Sequence, residues 1–177
     1  MRDVKCVKKI IIITLFNLSL VSFSQEKSSL KIESINNGTG IYTLEKNDDR
    51  SGVSGVIQAN FKLDNHLLSS SISLGLGVLN EDEILKNTVH TFITFDLLYG
   101  RRILFNENLY LNLFSGIGIL EQTKLKNIEN GTSLNIPIQL QLYFSVSSKL
   151  DLGIMPRLNL NNKNTISMYL FSINLKL

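Results

Sequence analysis

The sequence predicts an all-β fold: an antiparallel up-and-down transmembrane β-barrel, with eight strands as the best count, preceded by a cleaved signal peptide. Three observations carry this. The chain is a series of strictly alternating segments, their parity survives every short turn, and its one long apolar run is too short to be a membrane helix.

That run comes first. "MRDVKCVKK" is a positive stretch, residues 10–23 ("IIIITLFNLSLVSF") form a fourteen-residue apolar core, and Ser22 and Ser24 occupy small-residue positions before a cut ahead of Gln25. Fourteen residues fall short of the roughly 18–20 that a spanning helix needs. The expected organisation is a signal peptide at 1–24, a mature N-terminal segment at 25–39 and a barrel at 40–177. The only cysteine, Cys6, lies within the leader. The mature chain is therefore expected to have no disulfide and no thiol chemistry. Of 18 basic and 15 acidic residues, the leader takes Arg2, Lys5, Lys8 and Lys9 against Asp3, which leaves 14 of each sign. A balanced remainder with no basic patch argues against nucleic acid as a partner.

The clearest strand is "LNIPIQLQLYFSV" at 134–146. Leu134, Ile136, Ile138, Leu140, Leu142, Phe144 and Val146 share one face, and Asn135, Pro137, Gln139, Gln141, Tyr143 and Ser145 share the other. The same pattern recurs along Val53, Ile57, Ala59 and Phe61; along Leu68, Ile72, Leu74 and Leu76; and along Val89, Ile93, Phe95, Leu97 and Tyr99. It continues in Leu109, Leu111, Leu113, Ile117 and Ile119, then in Leu150, Leu152, Ile154, Leu158 and Leu160. The last run is Tyr169, Phe171, Ile173, Leu175 and Leu177. A first strand is expected at 40–45 ("GIYTLE"), with a possible extension back through 30–35 ("LKIESI"). That makes eight.

Residues flanking a hairpin turn pair directly and share a face. A turn at 64–65 pairs Leu63 with His66, one at 106–108 pairs Phe105 with Leu109, and one at 147–149 pairs Val146 with Leu150. A loop at 161–164 closes on Leu160 and Thr165. Longer polar connections near 45–52, 80–88 and 122–133 alternate with these turns.

Side-chain size decides which face meets what. The polar face is rich in Gly, Ser, Asn, Gln and Thr and poor in Lys and Glu, whereas a water-exposed strand face carries long charged groups. Small uncharged groups suit an interior that satisfies its own hydrogen bonds. Thirteen residues at about 3.3 Å each, tilted by about 45°, cover roughly 30 Å, a bilayer's apolar thickness. The apolar face is expected to meet lipid.

These features resemble the small outer-membrane β-barrels of Gram-negative envelopes, of the OmpX type or the OmpA transmembrane domain, over residues 40–177. The resemblance implies an outer-membrane location, lipid as surroundings and insertion by the barrel-assembly machinery. In that family the machinery reads the last strand, here "YLFSINLKL", through Tyr169, Phe171, Ile173, Leu175 and Leu177. The family usually closes on an aromatic residue, and this chain has Leu177.

An eight-stranded lumen is just wide enough for side chains to fill, so a packed polar interior is expected. Its few charges are Lys62, His90, Asp96, Asp151, Arg157 and Lys176. Asp151 with Lys176 is expected as an ion pair near the turn-side rim, and Asp96 with Arg157 as a pair across the interior. "GLG" at 75–77 and "GIG" at 116–118 lie within strands, where a phosphate loop cannot form, and their glycines are expected to make room in the lumen. The two histidines, His66 and His90, fall at opposite ends, and no metal-ligand or cofactor motif exists. Some small barrels are lipid-modifying enzymes that use histidine with serine. His90 with Ser54, Ser133 or Ser167 is the nearest approach to such a set, but no motif ties them together. The expected function is therefore non-enzymatic, structural or mediated by short loops. The alternatives are a narrow channel for small or apolar solutes and, behind it, a lipid-modifying enzyme.

Overall fold

Each alternating segment is a strand in the computed structural model of the chain, which describes residues 30–45, 50–77, 90–124, 131–162 and 164–177. The eight strands are β1 (Lys31–Glu45), β2 (Arg50–Leu63), β3 (His66–Gly77), β4 (His90–Leu104), β5 (Leu109–Lys124), β6 (Gly131–Ser145), β7 (Leu150–Asn161) and β8 (Thr165–Lys176). Each pairs antiparallel with the next, and β1 pairs with β8 from Ser34↔Lys176 to Glu45↔Thr165, which closes the barrel. Closure leaves no strand edge open, the condition for a sheet to sit in lipid. The segments assigned to the leader and to the start of the mature chain lie outside the described residues.

The short turns hold the register expected of them. Leu63 pairs with His66, and Asp64 supplies the left-handed backbone that so tight a turn requires, at φ 53°. The amide of Phe105 donates to the carbonyl of Leu109 at 3.0 Å, and that of Val146 to Leu150 at 2.9 Å. Asn159 pairs with Ile166, one step inside the Leu160–Thr165 closure.

Three boundaries differ from the sequence reading. The barrel begins at Lys31, not at Gly40, because "LKIESI" and "GIYTLE" form one strand. The intervening "NNGT" continues the alternation: Asn36 and Gly38 face the lumen, while Asn37 and Thr39 face outward. At the other end, β1 and β2 run to Glu45 and from Arg50, and β5 and β6 run to Lys124 and from Gly131. The loops expected at 45–52 and 122–133 are correspondingly shorter. Above the apolar belt a strand needs no hydrophobic face, so polar strand ends look like loop.

Two prolines interrupt the ladders without breaking the strands. The β5–β6 pairing skips from Ser115↔Ile138 to Gly118↔Asn135 around Pro137, and the β6–β7 pairing skips from Gln139↔Arg157 to Leu142↔Ile154 around Pro156. A residue with no N–H cannot donate to the ladder.

The faces are inverted relative to a soluble barrel. Ile57 is 62% exposed, Leu97 65% and Ile117 69%, while Gln58, Asn60, Gln139, Gln141 and Asn159 are buried. With the backbone paired all round, this arrangement is stable only where the outer surface meets hydrocarbon. The chain is a transmembrane barrel.

Candidate functional site: the barrel lumen

The lumen is packed in layers, and the sequence reading described only part of it. From the loop end down one side of the lumen to Met155, two residues to the turn side of Arg157 on β7, Tyr42, Leu44, Val56, Phe92, Leu120, Met155, Ile166, Met168 and Leu170 form an apolar cluster. Tyr42 and Phe92, on β1 and β4, meet edge-on with centroids 4.9 Å apart. The interior was expected to be polar throughout, and this cluster corrects that. Large apolar side chains fill a narrow lumen at high density without needing hydrogen-bond partners. The glycines do make room, as expected: a side chain at Gly75 would strike the Phe92 ring, and one at Gly118 would strike the Asp96 carboxylate.

The middle layer is built around one ion pair. The Arg157 guanidinium donates through Nη2 to Asp96 Oδ2, with both side chains fully buried. Arg157 also donates to Ser71 Oγ and Gln139 Oε1 through Nη1 and to Asn159 Oδ1 through Nε, each at 3.1 Å. Asp96 additionally accepts from Thr94 Oγ1 at 2.6 Å and Asn135 Nδ2 at 2.8 Å. Buried charges are tolerable when they are paired and their remaining hydrogen-bonding capacity is met in this way. Gln58 Oε1 ties the opposite wall in, accepting from Gln139 at 2.8 Å and Gln141 at 3.2 Å.

Nearer the turns, Asp151 is buried and accepts from four donors: Tyr110 Oη at 2.5 Å, Lys176 Nζ at 2.6 Å, Ser145 Oγ at 2.7 Å and Asn174 Nδ2 at 2.9 Å. Beside it is a pair that the sequence reading missed. Arg102 holds Glu33 through two hydrogen bonds, at 2.7 and 3.0 Å, and lies over the Tyr110 ring at 4.4 Å. A bulge between Ile32 and Ser34 shifts the parity of β1 at Glu33. Alternation alone therefore gave no sign of Glu33, and Arg102 was hidden in the mixed pattern "GRRIL". Leu67, Leu98 and Phe114 pack as a second apolar cluster at this end.

Of the six expected lumen charges, Asp96 with Arg157 and Asp151 with Lys176 come together as pairs. Lys62 does not join them. It is exposed at the rim, one residue from the end of β2 and opposite Lys31, where the barrel wall gives out before its side chain is enclosed. His90 begins β4, and its side chain lies outside the described residues. Tyr169, Phe171, Ile173 and Leu175 of β8, and Leu177 after it, are all exposed on the outer face. Among the described residues no group of three or more His, Cys, Asp or Glu could hold a metal.

Neither a family model nor a curated protein matches the chain. Solved structures do match, at low sequence identity. Neisserial surface protein A, NspA, superposes with a TM-score of 0.71 at 9% identity, over 84% of this chain and 99% of that one. Ail, the attachment invasion locus protein of Yersinia pestis, solved with the heparin analogue sucrose octasulfate, gives 0.62 at 11% identity, over 82% and 97%. The outer-membrane enzyme PagL gives 0.50 at 11% identity, over 81% and 99%. The fold is that of the small eight-stranded outer-membrane β-barrels.

Proposed function

We infer that the protein is an integral outer-membrane barrel with a structural or loop-mediated interaction role and a closed lumen. The observation that carries this reading is the filled interior: an apolar cluster above, a buried ion pair with its partners at mid-depth and the Asp151 network below. Water and ions would have to disrupt all three layers to pass. The narrow-channel alternative needs a wider barrel or a displaceable plug, and the described lumen offers neither. The loops are short, so any partner they meet is engaged on a shallow surface. The outward residues of β8 suit the role of assembly signal in the chain's insertion.

Two measurements on the protein from the membrane fraction test the reading. Unboiled and boiled samples should migrate differently on SDS gels, as a closed barrel requires. In planar bilayers the protein should give no steady conductance. A stable open level would replace the structural reading with the channel.

A further inference from the structure

Arg101 is placed unlike any other basic residue described. It projects from the outer, lipid-facing side of β4 and makes no hydrogen bond or ion pair with a described residue. Two exposed apolar residues on the same face, Ile103 and Phe105, follow it toward the turn, so it lies within the apolar belt rather than beyond it. A guanidinium facing hydrocarbon requires an anion or a route to the interface.

Its neighbours supply more donors. His66 is its cross-strand partner on β3, and Tyr99 lies two residues along the same face. Tyr99 Oη and His66 Nδ1 are 2.5 Å apart. If the phenol donates, the neutral imidazole keeps its proton on Nε2; if Nδ1 donates, the phenol proton is free. In either tautomer the pair retains one unused donor beside the five of Arg101.

Toward mid-membrane, the same two strands contribute to an apolar groove on the outer surface whose lining extends from β2 to β6. Register runs from His66↔Arg101 through Leu68↔Tyr99 to Ser70↔Leu97 and Ile72↔Phe95. At that level Ala59 and Ser70, paired across β2 and β3, are small. They leave an outer-surface groove of about 700 Å³ walled by Ile72, Phe95, Leu97 and Ile117. Donors for an anion and a slot for a chain stand end to end.

We propose that this face is a binding site for an anionic glycerophospholipid of the turn-side leaflet. Its headgroup phosphate is held by Arg101 with the His66–Tyr99 pair, and an acyl chain lies in the groove above. The proposal rests on the reading of the chain as a membrane barrel.

The test uses the full protein in nanodiscs of mixed phosphatidylcholine and phosphatidylglycerol, with retained lipid counted by native mass spectrometry. Wild type should keep phosphatidylglycerol preferentially. Arg101→Gln should lower that preference about five-fold, the effect of one basic residue near an anionic surface. Filling the groove with Ala59→Leu and Ser70→Leu should reduce retention of both lipids, and Lys149→Gln in the exposed β6–β7 turn should change nothing. Where Arg101→Gln does not fold, Tyr99→Phe reads the same preference. Undiminished preference in the folded variant overturns the site, as does abolition of the preference by excess inorganic phosphate, which would mark a free-anion site. A heat-induced mobility shift without lipid preference refutes the lipid site alone. Absence of the shift in wild type refutes the barrel beneath it.

Discussion

Asp96 and Arg157 meet across the lumen from strands that are not neighbours, with both side chains closed to solvent. Between them they tie β3, β4, β6 and β7 together: Asp96 collects Thr94 and Asn135, and Arg157 collects Ser71, Gln139 and Asn159. The pair acts as a cross-brace. Removing one member strands a buried charge, so Asp96→Ala should lower unfolding stability by about 3–5 kcal/mol. Replacing both, as Asp96→Leu with Arg157→Met, should cost less than the single change because no charge is then orphaned. Urea unfolding in phosphatidylcholine vesicles measures the difference, and a double variant worse than both singles would contradict the brace.

Gly118 faces that carboxylate. A methyl group there would collide with Asp96 and come within 2.6 Å of the Phe95 carbonyl. Gly118→Ala should therefore push Asp96 off Arg157 and destabilise the barrel by about 1–3 kcal/mol, a typical cost of overpacking. Gly55→Ala is the control. Its new methyl would meet only the Gly38 carbonyl, at 3.8 Å, so stability should stay within about 0.5 kcal/mol. Equal effects at the two glycines would mean that the lumen yields more easily than its contacts imply.

The Asp151 network is asymmetric. Asp151 is fully buried, whereas the Lys176 side chain is 30% exposed and can turn to water. Asp151→Ala leaves Tyr110 and Ser145 without their acceptor and Asn174 with only Tyr110 Oη at 3.4 Å, and should cost about 3 kcal/mol. Lys176→Met leaves the carboxylate three other donors and should cost only about 1 kcal/mol. Comparable losses in the same unfolding assay would show that the lysine, rather than the neutral donors, holds the site together.

How far the sequence could be read depended on how strictly each position was constrained. The outward residues obey one rule, contact with lipid, so Ile57, Leu97 and Ile173 follow a clean period of two. Inward residues need only fill volume with their polar atoms satisfied, so Gln58 and Phe92 serve equally well, and the apolar upper lumen left no pattern. Charge pairing was legible where alternation held, at Asp96, Arg157, Asp151 and Lys176. It was lost at Glu33, where the bulge changes parity. The groove beside Ala59 and Ser70 was equally hidden, because it depends on which small residues the register sets side by side.

The outer face offers the most direct test of surroundings. Ile57 is 62% exposed on β2, beside Asn37 of β1 and Ile72 of β3. In water, Ile57→Arg would be neutral or would improve solubility. In a bilayer, an arginine on the lipid face costs about 2–4 kcal/mol at mid-depth and falls toward zero at the interfaces. Ile57→Arg should thus be strongly destabilising in vesicles, and the same change at Leu177, beyond the last strand, should cost at most about 1 kcal/mol. A depth-dependent penalty follows only if hydrocarbon surrounds the strands. A flat response along the outer face would place the apolar surface against something other than lipid.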